Sequence, residues 1–190
     1  MLEAFLSYQD IALVPTMRSI IDGSSVTVSS GEYYYLTCHR EENTKDPSTL
    51  QGVLKAMEQL DAPVVYPVHP RNKNTVLALM GNGFDNVLPV EPVGYLESVW
   101  LTSNARQVVT DSGGLQREAF FAGVKCTTVL DFEVWPETMV SNRNMLASPD
   151  SESILSAMAA PQAVDPDYRP FGDGKASVLI VDAINDLLGE

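Results

Sequence analysis

From Tyr33 onward the chain alternates short, continuously apolar runs with segments of helical spacing, and this alternation narrows the fold more than any other feature. Residues 33–38, 64–68, 87–90, 107–110 and 126–130 are rich in Val, Tyr and Thr, the residue types that suit strands. Residues 47–60, 73–80, 95–103 and 115–121 read as helices; Pro47 suits a first turn and Asp46 the cap before it. Strands that are apolar throughout, rather than at every second residue, must be buried on both faces. The expectation is therefore an α/β fold, a Rossmann-like parallel sheet with helices on both faces. In such sheets a ligand lies beyond the carboxyl ends of the strands, where the strand order reverses. That rule singles out the loops that begin at His39, His69, Glu91, Asp111 and Asp131.

The 190 residues suffice for one domain with a substantial core. Residues 1–31 read as a lead-in helix and linker: amphipathic stretches at 2–8 and around 16–21 precede the Ser/Gly-rich DGSSVTVSSGE. Residues 32–190 read as the domain proper. Beyond Leu130 the alternation loosens into DFEVWPET, a helix at 151–160, a loop at 163–177 and a closing helix at 176–188. Hydrophobic content of 45% with 19% charged residues describes a packed globule rather than a disordered chain. No apolar run approaches the roughly 20 residues that cross a bilayer, and no secretory leader pattern opens the chain, so a cytoplasmic location is expected.

Twelve Lys and Arg face 25 Asp and Glu, a net charge of -13 that repels nucleic acid and anionic membrane at long range. An anionic small ligand would have to be held by local amides and a few placed cations. Cys38 and Cys126 make no disulfide framework, and together with His39 and His69 they lack zinc-like spacing, so no metal is expected.

The stretch TDSGGLQRE, Thr110 to Glu118, offers such amides. It turns from a strand through Ser-Gly-Gly into a helix, and the first amides of a helix point outward unpaired at the positive end of its dipole. Two glycines let the backbone approach a ligand and adopt positive φ at little cost. Ser112 suits the N-cap, and Glu118, one turn beyond Gly114, suits sugar hydroxyls. By itself the stretch fits an ordinary capped helix equally well. HREEN, from His39 to Asn43, follows the first strand and HPR, from His69 to Arg71, the second; each alone fits a solvated loop, but together they bring two His-Arg pairs to one rim. There is no G-x-G-x-x-G or G-x-S-x-G, and GDGKAS lacks the first glycine and the Ser/Thr of a Walker loop. Tyr95, Trp100, the methionines and Phe120-Phe121 read as packing residues.

Taken in order, HREEN, YPVHPR, PVGYLESVWL, TDSGGLQREA, DFEVWPE and RPFGDGKAS resemble the C-terminal half of the UDP-N-acetylglucosamine 2-epimerases, from about Tyr33 to the end of the chain. The resemblance implies one half of a GT-B arrangement, with the nucleotide sugar in the cleft between two Rossmann-like domains. It implies that Ser112, Gly113 and Gly114 hold the diphosphate, that Glu118 holds the ribose, and that the backbone at Pro92 and Val93 meets uracil. His39 would be the catalytic-site residue facing the sugar and diphosphate. Arg40, Glu42 and His69 match a second, activating sugar-nucleotide site of bacterial members. The family's reaction eliminates UDP with loss of the proton at carbon two, forms a glucal, and adds UDP back after protonation of the other face. It needs no cofactor. Its acid/base carboxylates lie in the N-terminal domain, so this chain alone is expected to be inactive, as half of a parent expected to be a homodimer.

The chain departs from the family at three places: Ser98 replaces an aromatic residue against uracil, Trp135 replaces a phosphate-contacting Arg, and Arg117 replaces an acid before the Glu118 position. A hydrolysing relative that releases free sugar shares most of these motifs. The departures also fit a nucleotide-sugar-binding or regulatory domain without catalysis. A GT-B glycosyltransferase donor domain fits the Glu after a Gly turn, but not HREEN together with TDSGG.

Overall fold

The computed structural model describes residues 1–81 and 83–189. Helix α1 (Leu2–Gln9) is followed by a two-residue hairpin, β1 (Met17–Arg18) and β2 (Ser25–Val26). The alternating body then runs β3 (Tyr34–Thr37), α2 (Glu41–Thr44), α3 (Pro47–Glu58), β4 (Val64–Pro67), α4 (Lys73–Met80), β5 (Val87–Val90) and α5 (Tyr95–Asn104). It continues with β6 (Val108–Thr110), α6 (Gly113–Phe121), β7 (Cys126–Val129), β8 (Asn144–Ala147), α7 (Ser151–Ala159) and α8 (Ala176–Leu188).

The sheet is six-stranded and parallel, in the order β5-β4-β3-β6-β7-β8. This is the expected Rossmann-like architecture. β6 and β7 are buried at every residue, as continuously apolar strands require. Because successive strand residues point to opposite faces, the core divides in two. Leu36, Val64, Tyr66 and Val109 pack with Leu50, Val53 and Leu54 of α3 and Ile154 of α7. Tyr35, Val65 and Val108 pack on the other face with Leu101 of α5 and Leu115 and Ala119 of α6.

Caps set the helix starts. Asp46 accepts from the Ser48 amide at 2.9 Å with Pro47 in the first turn of α3, and Asp150 accepts from the Ser153 amide at 2.9 Å to open α7. Where α3 meets α7, Gly52 lets the backbones close up: a Cβ there would fall 2.3 Å from the Pro149 carbonyl oxygen.

Three strands and one short helix differ from the sequence reading: β1, β2 and β8, and α2, which begins inside HREEN. Residues 16–21, expected as a second amphipathic piece, carry β1, whose Met17 is opposite Val26 and buried. The Ile20 amide donates to Pro89 O at 3.0 Å and the Glu91 amide to Arg18 O at 2.9 Å, so the hairpin covers the edge left by β5. The loosened region after Leu130 contains a sixth strand, β8. Its Asn144 is buried and accepts from the Thr128 hydroxyl at 2.8 Å, so a polar pair stands where apolar patterning was sought. Helix α1 packs on α5 and α6 through buried Phe5, whose ring lies 5.8 Å from that of Phe121. Among the described residues no helix is long and apolar enough to cross a membrane.

Candidate functional site

The strand order reverses between β3 and β6, and their carboxyl ends deliver His39 and Ser112 to one cavity of about 280 Å³. Thr37, His39, Ser98, Ser112, Gly114, Leu115 and Glu118 line it. Ser112 is the N-cap of α6, as expected: its Oγ accepts from the Leu115 amide at 3.4 Å, and its own amide donates to Thr110 Oγ1 at 2.9 Å. Thr110 Oγ1 lies 2.6 Å from Thr37 Oγ1, which ties the ends of the two strands together. Among the described residues the amides of Gly113 and Gly114 meet no protein acceptor. They are two free donors at the positive end of a nine-residue helix.

The glycines serve differently from the sequence expectation. Neither has a positive φ; both lie within α6. Gly113 is required by packing, since a Cβ would meet Val134 Cγ1 at 2.9 Å and Trp135 Nε1 at 3.2 Å. At Gly114 a Cβ would approach nothing nearer than Ser112 Oγ at 3.5 Å, so there the missing side chain leaves the backbone open to the cavity.

Glu118 projects from the same helix and is almost fully buried, with Oε1 accepting from the Tyr95 hydroxyl at 2.8 Å. Burial pushes its carboxyl above the ordinary 4.5, while the hydrogen bond from Tyr95 and the Arg117 charge pull the other way. Tyr95, read from the sequence as packing, therefore holds a site carboxylate; no local pattern announces a contact 23 residues along the chain. Trp100 does pack, stacked on Tyr33 at 6.1 Å. Ser98 lines the cavity and shares a 3.0 Å hydrogen bond with the hydroxyl of Tyr35.

His39 lies across from α6 with its side chain 41% exposed, and its Nδ1 is 3.8 Å from Oδ1 of the fully buried Asp111. Asp111 Oδ2 accepts from the amides of His39 and Arg40 at 2.8 and 2.7 Å and from Asn43 Nδ2 at 3.4 Å. One carboxylate thus folds the start of the HREEN loop back onto the end of β6. His69 reaches the same rim, its ring 6.3 Å from that of His39, and Arg71 donates to His39 O at 3.1 Å. The two histidines and Arg71 thus come together at the rim as their places in the sequence imply, while Arg40 turns elsewhere. His69 Nδ1 accepts from the Arg71 amide at 3.2 Å and so caps the turn Pro70–Asn72.

Arg40 and Glu42 stand apart from the cavity, their charged groups 4.0 Å from each other, with Arg40 also 5.6 Å above the Phe132 ring. Glu42 lines a larger cleft of about 450 Å³ with Glu41, Lys45 and Asp46. Val93 lies in the loop between β5 and α5, packed against the second core cluster rather than in the cavity lining. Trp135 packs behind Gly113 with the Arg117 guanidinium 3.8 Å above its ring. Arg117 is thus drawn onto the indole and is not among the residues that line the cavity.

A parallel sheet whose strands, numbered within it, run 3-2-1-4-5-6, with an open helix N-terminus at the reversal, defines a Rossmann-like α/β domain with a cavity at its switch point. The family model described as UDP-N-acetylglucosamine 2-epimerase matches residues 1–185, and the chain belongs to that family. A UDP-N-acetylglucosamine 2-epimerase homolog of Methanococcus maripaludis is 34% identical over 168 residues, which are 85% of this chain and 47% of the relative. A UDP-2,3-diacetamido-2,3-dideoxy-D-glucuronate 2-epimerase of Pseudomonas aeruginosa is 35% identical over 185 residues, 94% of this chain and 51% of the relative. Among solved structures, the UDP-GlcNAc 2-epimerase of Methanocaldococcus jannaschii in complex with UDP-GlcNAc and UDP matches with a TM-score of 0.70 at 32% identity, over 82% of this chain and 46% of that one. The chain spans about half the length of the curated relatives it matches.

Proposed function

We propose that the chain is the UDP-binding half of a non-hydrolysing 2-epimerase acting on a UDP-2-acetamido sugar. The observation that carries this reading is the pair of unpartnered amides at Gly113 and Gly114, opening on a cavity that also holds Glu118 and His39. In it the diphosphate lies against Ser112, Gly113 and Gly114. Glu118 accepts from the ribose hydroxyls, the backbone at Val93 meets uracil, and His39 faces the leaving diphosphate. Two relatives, one named for N-acetylglucosamine and one for a diacetamido glucuronate, support the acetamido class rather than a single sugar. Arg40, Glu42 and His69 would belong to an activating second site, a reading supported by His69 standing beside His39.

In this reading a base removes the proton at carbon two as the bond from carbon one to UDP breaks, giving a glucal. Protonation of the opposite face and return of UDP complete the inversion, with no net oxidation. The residues described here bind and stabilise the leaving UDP. The acid/base carboxylates come from an N-terminal domain, the other half of a GT-B cleft, so this chain alone does not epimerise, and the complete enzyme is a homodimer.

Titrating the chain with UDP while following backbone amide resonances tests the site: residues 112–114 should shift first, and no movement there removes the reading. Product analysis on the complete enzyme tests the rest. Free sugar released in step with UDP would identify the hydrolysing relative instead.

A further inference from the structure

Asp111 is a fully buried carboxylate at the switch point, and its two oxygens are treated unequally. Its Oδ2 accepts from the amides of His39 and Arg40 and from Asn43, whereas Oδ1 is buried without a partner. A buried polar oxygen left bare is costly, and buried polar atoms nearly always find a donor. The imidazole Nδ1 of His39 faces Oδ1 at 3.8 Å on a half-exposed ring, and is the ring nitrogen placed to supply the missing donor. The neighbouring Cys38 thiol is held protonated by burial, by the Asp111 charge and by a hydrogen bond to Asp111, but a thiol is a weak donor and leaves the carboxylate short of a strong one.

We infer that Asp111 is the positioning residue of His39: its Oδ1 accepts the Nδ1 proton, which fixes the tautomer and turns the bare Nε2 toward the cavity. One carboxylate then does two jobs. Oδ2 fixes where the loop starts, and Oδ1 fixes which nitrogen the ligand meets. His69 carries the opposite arrangement, since its Nδ1 accepts from the Arg71 amide and its proton therefore sits on Nε2. The only two histidines of the chain, with ring centroids 6.3 Å apart, hold opposite tautomers. A diphosphate would be met by Nε2 only once that nitrogen carries a proton, with His39 an imidazolium that donates to the phosphate; that step rests on the function proposed above, and the tautomer does not.

The test uses the full chain, without ligand, labelled at histidine nitrogen and observed by long-range proton–nitrogen correlation at mildly alkaline pH, with His69→Gln assigning the two rings. The expected result is an Nδ1–H ring for His39 and an Nε2–H ring for His69. An Nε2–H ring at His39 in the unaltered chain overturns the inference, and that measurement needs no variant to fold. In Asp111→Asn the side-chain oxygen still serves the two loop amides, while the NH₂ group meets Nδ1 and must drive the proton to Nε2. The His39 tautomer should switch; a variant that folds with the Nδ1–H ring unchanged overturns the inference too. If residues 112–114 of the unaltered chain ignore UDP while the two tautomers are as stated, the nucleotide reading fails and the role of Asp111 stands.

Discussion

At the scale of single residues, Gly113 and Glu118 make separable demands. A methyl group at Gly113 must push against Val134 and the Trp135 indole. Gly113→Ala should therefore lose roughly 1–3 kcal/mol of stability, as overpacking does. The same push displaces the first amides of α6, so UDP should bind at least about tenfold more weakly. Denaturant melts and calorimetric titration measure the two effects, and a fully stable variant would show that the contact is not tight. Glu118 has a raised folded-state carboxyl, so the folded chain holds that proton more firmly than the unfolded chain. The sign follows: ionising Glu118 lowers stability as pH climbs above 4.5, and no such cost exists well below it. Glu118→Gln should melt higher than the unaltered chain at neutral pH, with the advantage shrinking on acidification, while UDP affinity falls about fivefold through loss of a charged acceptor. A thermal advantage that does not depend on pH would contradict this. The order of Ser112, Gly113, Gly114 and Glu118 along the chain was enough to read them as a unit, because a helix N-terminus is a local structure. Asp111, Tyr95 and Trp135 were not legible in these roles, since each acts through a partner that only the fold brings near.

At the scale of elements, strand patterning and capping residues carried most of the reading. Asp46 and Pro47 mark the start of α3, and continuously apolar runs mark β3 through β7. The signal failed where an element is short or its burial is polar. β1 and β2 have two residues each and exist because they bond to one another and to the edge of β5. β8 opens on Asn144, whose burial is justified by Thr128 on the neighbouring strand. Gly52 shows the opposite case, a residue that helix propensity argues against. In isolation Gly52→Ala should favour α3 by about 1 kcal/mol. Here its Cβ would collide with a backbone carbonyl of the segment entering α7, which cannot swing aside as a side chain can. We expect the collision to win, giving a net loss of roughly 1–3 kcal/mol in denaturant melts. A stabilised Gly52→Ala would mean that α3 and α7 are packed less closely than described.

At the scale of the whole molecule, α8 is the element whose composition and surroundings disagree. Val178, Leu179, Ile180, Val181, Ile184, Leu187 and Leu188 are all exposed, Leu187 to 86%, and the helix buries no residue against the rest of the chain. So wide an apolar face, with only Asp182, Asn185 and Asp186 gathered opposite it, is ordinarily covered, and the relatives are about twice the length of this chain. In the proposed two-domain enzyme the absent half is what would cover α8. The chain alone should therefore bind an apolar dye and associate with itself. The net charge of -13 opposes that association. Raising the salt concentration screens the repulsion and strengthens apolar burial, so association should grow with ionic strength, the reverse of an ion-paired interface. Replacing Val181 and Leu187 by Glu removes apolar surface without opening any core, so dye binding and association should fall while the melting temperature stays within a few degrees. Sedimentation at low and high salt, beside a thermal melt, reads both quantities. A large drop in melting temperature would mean that α8 packs on its own domain after all, and undiminished association would place the sticky surface elsewhere.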